Sequence, residues 1–589
     1  MQKSLLQKLL QHLRKMLSIP STSIELCLVG LIGGVIAAIV IVLFRGSLTL
    51  WHQLMLGEIG NYAYLPDWQR FLLPIVAIGL VLLVALITGF KHYRLGIPFV
   101  IHRLKMFYGH IPLPTSVNQF FGGILALGSG FVVGKEGPSV HLAAAASHYV
   151  GRWLSLPFNS LRILAGCGIA AGISAAFNTP FAAVIFVMEV VLREYKVHVF
   201  IPVMLAAACG SVLTRAVFGD VNELSFLTFT PISGLELLYL VFIGFCIGSM
   251  AALFNKQLML IMAFFRHTNM VARLLIAAVI TGAIGYFYPA ALGAEFINVE
   301  KLLTDSQSFQ VLLILFACKF MLATIAIGLG VPGGIVGAVM VIGMLLGMLL
   351  IVPLSYIGEV SSVTNYALLG LAGFLATVLH APMAALSAAM ELAADSRVVL
   401  PAIIVIVTAY ITSKQLWKNS SIFIQQLDFQ GLPYASTAIR GMLQYTGVLA
   451  LIDKNFAVME NVDHEGLYEF LQHTPDQKLI HIKGDEYTQT SIEWVSLSVS
   501  LHQNDHALST QNVTVLTQQH TLADVHDALY NKREGAVVVI DQIANREQHF
   551  MSIDEISQQT LRVQNLREQN IMGIITWNML HTYLLRKQH

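Results

Sequence analysis

The sequence predicts an all-α polytopic membrane protein built from two repeated halves, followed by a smaller α/β soluble domain. Three observations lead there. Of 589 residues, 56% are hydrophobic and only 12% are charged, the balance of a chain with many membrane spans rather than a large soluble enzyme. A set of Gly-, Ala- and Pro-containing motifs recurs in the same order about 200 residues apart. Beyond about Gly431 the composition turns polar, with many Gln, His, Asp and Asn.

The chain opens with Lys3, Lys8, Arg14 and Lys15 set among leucines. The following apolar run is long and lacks a small-residue cleavage pattern, so residues 1–20 read as a retained amphipathic helix. Its basic charge places the N-terminus in the cytoplasm. Leu26–Phe44 and Phe71–Phe90 are uncharged and long enough to cross a bilayer. Glu58 and Asp67 follow the first, and Lys91, Arg94, Arg103 and Lys105 follow the second. The first loop is therefore expected outside and the second inside. Phe320–Gly358 is too long for one span and is broken by Gly328, Gly330, Pro332, Gly333 and Gly334. The membrane domain is expected over 21–427 and a cytoplasmic tail over 435–589.

Several classes are excluded. Net charge is +1 and basic residues do not cluster with aromatics, so no nucleic-acid partner is expected. Cys27, Cys167, Cys209, Cys246 and Cys318 all lie in apolar segments without a C-x-x-C pair and read as packed small hydrophobes. No nucleophile–base pair, H-E-x-x-H or P-loop is present, so an enzyme is not expected. An unrelated cation carrier would want several acidic residues within the spans, and few are present.

Gly134-Lys135-Glu136-Gly137-Pro138 is the most informative stretch. Charge at membrane depth is expensive and marks an ion or proton pathway. The glycines permit a sharp turn, and Pro138 suits the first turn of a helix. A helix starting there aims free N–H groups at whatever lies in front, which favours an anion. Glu136 is a tethered anion beside that site and can compete with a mobile one until protonated or displaced.

The repeat pairs Pro180-Phe181-Ala182-Ala183 and Glu189 with Pro382-Met383-Ala384-Ala385 and Glu391, at equal proline-to-glutamate spacing. Ala171-Gly172 and Ala372-Gly373 stand upstream, and the breaks at Gly134–Pro138 and Gly330–Gly334 match as well. Interrupted hydrophobic segments in both halves point to a midplane site made of broken helices. Glu189 and Glu391 are expected to serve hydrogen bonding, or simply to face solvent, rather than to transfer protons.

Gly134–Pro138 resembles the G-[KR]-E-G-P signature of the CLC chloride channel and chloride/proton exchanger family. Gly328–Ala338, reading GLGVPGGIVGA, resembles that family's later Gly-Gly segment. Leu95-Gly96-Ile97-Pro98 resembles the end of its G-S-G-I-P motif, and Ala175–Pro180 its A-A-F-N-x-P segment. The resemblance implies a CLC-type inverted-repeat helical bundle, a homodimer in the bilayer, and one anion pathway per subunit. By position, Glu136 becomes the external gating glutamate. Gly96, Ile97, Gly134, Lys135, Gly137, Gly334, Ile335, Val336 and Phe423 become the anion-binding residues, with backbone N–H groups of Ile335 and Val336 at the central anion.

The departures bear on chemistry. Leu95 stands where the family has a hydroxyl-bearing serine, and Phe423 where it has a tyrosine. The central site is then expected to rely on backbone amides alone, losing roughly 1–3 kcal/mol for each good donor withdrawn. Exchangers commonly carry a second glutamate that relays internal protons, whereas this chain reads Glu189-Val190, and Val190 cannot carry a proton. Val190 favours passive, channel-like chloride conduction gated by Glu136. The alternative is a chloride/proton antiporter with a non-standard internal proton route.

In the tail, GAVVVID (Gly535–Asp541) and IMGIIT (Ile571–Thr576) read as strands, Thr521–Tyr530 and Met579–Leu585 as helices. The pattern resembles one CBS module. A degenerate partner is expected over about 440–500, with Phe456–Glu460 and Leu479–Ile482 as its strands. Asn578 replaces the usual ribose-holding aspartate, so a dimerising or gating role is expected rather than a nucleotide site. No cofactor is expected, and a bacterial inner membrane with both termini cytoplasmic suits the chain.

Overall fold

A computed structural model of the protein describes residues 2–19, 24–90, 96–219, 224, 226, 227, 229–232, 234–304, 308–355, 362–432, 434, 438–474, 477–483, 491–497, 508–530, 535–541 and 571–588. Among these, nine helices are long and apolar enough to cross a bilayer.

A helix at Gln2–Leu17 (α1) precedes the first long span, Ile24–Leu56 (α2). Then come Asp67–Ile87 (α3), Ile97–Met106 (α4), Leu113–Leu127 (α5), Glu136–Trp153 (α6), Phe158–Phe177 (α7), Pro180–Phe186 (α8) and Val197–Phe218 (α9). The second half runs through Gly234–Phe264 (α10), Met270–Phe287 (α11), Ile297–Thr304 (α12), Phe309–Leu329 (α13), Val336–Ser355 (α14), Val363–Leu379 (α15), Pro382–Ala393 (α16), Val399–Ile411 (α17) and Ile422–Gln430 (α18). A wider π turn at Val187–Leu192 extends α8.

Small residues let these helices approach closely, as expected where lipid removes the hydrophobic drive between helices. A Cβ at Gly34 of α2 would lie 2.8 Å from Ala206 of α9, and one at Gly347 of α14 would lie 1.8 Å from the Tyr366 carbonyl of α15. The long run beginning at Phe320 resolves, through residue 355, into α13 and α14, parted by the glycine- and proline-rich turn at 330–335.

The tail carries two sheets. Phe456–Glu460 (β1), Lys478–Lys483 (β2), Ser491–Leu497 (β3) and Leu508–Asn512 (β4) form one, in that order, parallel for β1–β2 and antiparallel afterwards. Thr514–Thr517 (β5), Ala536–Ile540 (β6) and Ile571–Thr576 (β7) form the other, with Ala536 opposite Thr576. The helix Leu522–Leu529 begins in a capping box between Thr521 and Asp524. The strands expected at Phe456–Glu460 and Leu479–Ile482 are β1 and most of β2. Residues 542–570, between β6 and β7, lie outside the described residues.

The tail is fastened to the membrane helices by specific bonds. Tyr108, just after α4, donates its hydroxyl to Asp524 at 2.7 Å, and its ring stacks on Phe158. The Phe158 N–H donates to the Gln519 carbonyl at 2.8 Å. The end of α1 joins the same contact: Gly447 N–H donates to the Ser18 carbonyl at 2.8 Å, and Ser160 to the Leu17 carbonyl at 2.8 Å. Nearby, Glu194 pairs with Arg162 and with Lys105, the latter at 3.4 Å. Lys196 sits 3.3 Å over the Tyr445 ring. Burial raises the Glu194 carboxyl, but Arg162, Tyr445 and Lys105 outweigh it and hold it below the usual carboxylate range. Burial pushes the Tyr445 phenol up to about 12.

Candidate functional site

Two glycine-rich breaks from opposite halves meet at the centre of the bundle. The Gly134 N–H donates to the Gly334 carbonyl at 2.7 Å, and the Gly334 N–H returns a bond to the Gly134 carbonyl at 2.6 Å. These residues form an isolated antiparallel bridge. The bridge satisfies backbone groups that neither helix could satisfy at membrane depth. It also brings the first turns of α6 and α14 together, with their free N–H groups and positive dipole ends.

Glu136 begins α6 and is 3% exposed. Its carboxylate fills space that only glycine leaves open. A Cβ at Gly134 would lie 1.9 Å from its Oε2, one at Gly334 would lie 2.7 Å from Oε2, and one at Gly337 would lie 2.8 Å from Oε1. A carboxylate thus rests in a cradle of backbone from both halves, the surrounding in which a mobile anion would also be stable. Gly137 closes the same seam, since a Cβ there would lie 2.4 Å from the Gly333 carbonyl.

Gly96 precedes α4 at φ +101°, a region that favours glycine, and Pro98 occupies the first turn. A narrow cavity of about 50 Å3 is lined by Gly96, Ile97 and Pro98, by the turn Gly330–Ile335, and by Phe423. Gly334 belongs to both places: it lines the cavity and touches the Glu136 carboxylate. Gly134, Lys135, Gly137 and Val336 do not line it. Lys135 instead sets its Nζ 4.4 Å from the Phe177 ring centre. Phe423, 2% exposed, presents a ring without a hydroxyl. Leu95 lies outside the described residues.

Val190 is buried in the π turn. Its neighbour Glu189 accepts bonds from the N–H groups of Met383 and Ala384 at 3.3 and 2.7 Å. Glu391 accepts from Phe181 and Ala182 at 3.1 and 2.8 Å. Each glutamate therefore caps the first turn of the other half's helix.

Sequence reasoning missed two groups. Gln119, Gln426 and Gln430 line the cavity, so its wall is not backbone and apolar side chains alone, as the missing hydroxyls suggested. Neutral amides left no mark beyond a polar residue in an apolar helix. Lys319 is fully buried on α13 and donates to the carbonyls of Ala291, Leu292 and Gly293 at 3.4, 3.2 and 2.7 Å. The Gly293 N–H in turn holds the Gly130 carbonyl at 2.9 Å. Trp51 holds the Gly128 carbonyl and Tyr62 that of Leu127, each at 3.1 Å. The segment leading to Gly134 is thereby pinned from three sides.

Known proteins resemble this chain in sequence and fold. A ClcB-like chloride channel protein of Ralstonia nicotianae is 27% identical over 366 residues, 61% of this chain and 85% of its own. An H(+)/Cl(-) exchange transporter, ClcA, of Klebsiella pneumoniae is 27% identical over 417 residues, covering 66% and 86%. Among solved structures, a slow cyanobacterial Cl-/H+ antiporter aligns at a TM-score of 0.62 with 21% identity, covering 70% of this chain and 99% of its own. A eukaryotic CLC transporter aligns at 0.56 with 18% identity over 97% of this chain and 98% of its own, so the fold match extends through the tail. Residues 79–414, more than half the chain, match the family described as voltage gated chloride channel. With Glu136 seated on the bridge between the two halves, the chain belongs to the voltage gated chloride channel (CLC) family of membrane anion transporters.

Proposed function

We propose that this protein exchanges chloride for protons across a bacterial inner membrane, with Glu136 as the shared station for both. The observation that carries this reading is the Glu136 carboxylate resting in the cradle at Gly134, Gly334 and Gly337. A carboxylate and an anion cannot both occupy that cradle, so anion entry requires the side chain to leave, and protonation favours its leaving. One proton then travels with the exchange of occupants. The exchange transporters among the relatives support this reading over the passive, channel-like one favoured by Val190 alone.

The internal proton route remains non-standard in this reading. Val190 has no proton to give, and both Glu189 oxygens are engaged as acceptors of backbone bonds. Water in the cavity beside Gln426 and Gln430 is the route we infer. The membrane unit spans 21–427. The tail over 435–589 acts as a CBS-like module that meets the membrane unit at Tyr108 and Phe158, and both termini face the cytoplasm. Two copies associate in the bilayer, each with its own pathway.

The test is reconstitution in chloride-loaded liposomes with weak proton buffering. Chloride release should drive external pH against its gradient, and Glu136→Gln should abolish that proton movement. Chloride release that needs a potassium ionophore and moves no protons would instead establish passive conduction.

A further inference from the structure

We propose that Gln119, aided by Gln426, supplies the side-chain hydrogen-bond donors that make the cavity prefer strongly hydrated anions such as chloride. The proposal rests on the anion-transport reading and deepens it.

Gln119 lies on α5, is 1% exposed and lines the cavity. Its Oε1 is buried with no hydrogen-bond partner among the described residues. Buried amides are nearly always bonded, because a polar group taken from water without a partner is costly. An anion cannot bond that acceptor oxygen, but it can accept from the N–H2 end of the same amide. The two ends of an amide have nearly the same shape, so a half turn about the last torsion presents N–H2 to the cavity.

Gln426 is 8% exposed and stands three residues after Phe423 on α18, so both side chains share one helix face and both line the cavity. The donors thus come from two helices, α5 and α18. Phe423 brings no hydroxyl to the cavity. Neutral amides supply donors without adding charge.

Donor strength decides selectivity because anions differ in what they lose on dehydration. Chloride is well hydrated and needs donors to offset that loss, whereas thiocyanate is weakly hydrated and needs them less. Removing a donor therefore penalises chloride more than thiocyanate.

The full-length protein would be reconstituted, and chloride and thiocyanate would compete for exchange. Gln119→Leu should raise the thiocyanate-over-chloride preference about tenfold, as expected for one lost donor. Gln426→Leu should shift it in the same direction. Gln119→Lys restores a donor and should swing the preference back toward chloride. Should the leucine variant fail to fold, Gln119→Met, close in shape, carries the same comparison. A preference equal to wild type in the leucine or methionine variant overturns the proposal. Wild-type chloride movement without protons would sink the exchanger reading while leaving this ratio readable. Wild-type protein that moves neither anion overturns both.

Discussion

Glu189 and Glu391 occupy equivalent positions in the two repeats, and each caps the helix that carries the other. The Glu189 carboxylate takes the N–H groups of Met383 and Ala384, and Glu391 takes those of Phe181 and Ala182. A capping carboxylate meets two free amide donors and the positive end of a helix together. Glu189→Gln and Glu391→Gln should each lower stability by roughly 1.5–3 kcal/mol, the worth of charged hydrogen bonds. Thermal unfolding of the two variants checks it. Their chloride-to-proton ratios should stay alike. A loss of coupling in Glu189→Gln alone would make that residue a proton carrier rather than a cap.

The bridge at Gly134 tolerates no side chain. A Cβ there would sit 1.9 Å from the Glu136 carboxylate and 2.8 Å from the Gly337 nitrogen. Gly134→Ala should leave room for neither carboxylate nor anion at the cradle. Exchange should fall at least about tenfold, as expected when a backbone approach is blocked. Anion binding in the cavity, read by calorimetry, should persist.

Lys319 fixes the carbonyls of 291–293, and through Gly293 it fixes Gly130. Lys319→Met keeps the length and removes the charge. It should cost roughly 1.5–3 kcal/mol in unfolding free energy. Because Gly130 lies four residues before Gly134, the external pH dependence of transport should shift as well, which pH titration of chloride flux would reveal. An unshifted profile would confine Lys319 to stability.

The Glu194 cluster makes tail docking pH-dependent. Its folded carboxyl is held below the usual range, so its contribution is present above the unfolded value of about 4.3 and fades as pH falls through the folded one. The melting-temperature difference between wild type and Glu194→Gln should be full at pH 7 and shrink below about pH 4.5. A difference that grows on acidification would reverse the assignment.

The legible parts of the molecule were those that break a pattern. A charge between glycines in an apolar run, Pro-Gly-Gly inside a span, and two motif sets in matched order all stand out, and they locate Glu136 and the turn at 330–335, whereas Gly96 was legible only through the family resemblance. Gln119 did not stand out, because a neutral amide on an apolar helix disturbs neither periodicity nor charge. Glu189 could be weighed as a hydrogen-bonding residue, but its partner Ala384 is 195 positions away, and no local signal names it. In the tail, β6 and β7 are dense in Val and Ile and so were readable. β4 reads LSTQN, half-buried and polar, and its place depends on pairing with β3 rather than on its own composition.

The reciprocal caps also speak to ancestry. Neither half can close its own helix: α8 needs Glu391 and α16 needs Glu189. A single-repeat ancestor would have left those amides facing lipid unless a second copy lay beside it upside down. Gene fusion would then have joined partners that already depended on each other. If so, halves divided between Gly219 and Gly234 and produced together should reassemble into a transporting unit, and neither should persist in the membrane alone.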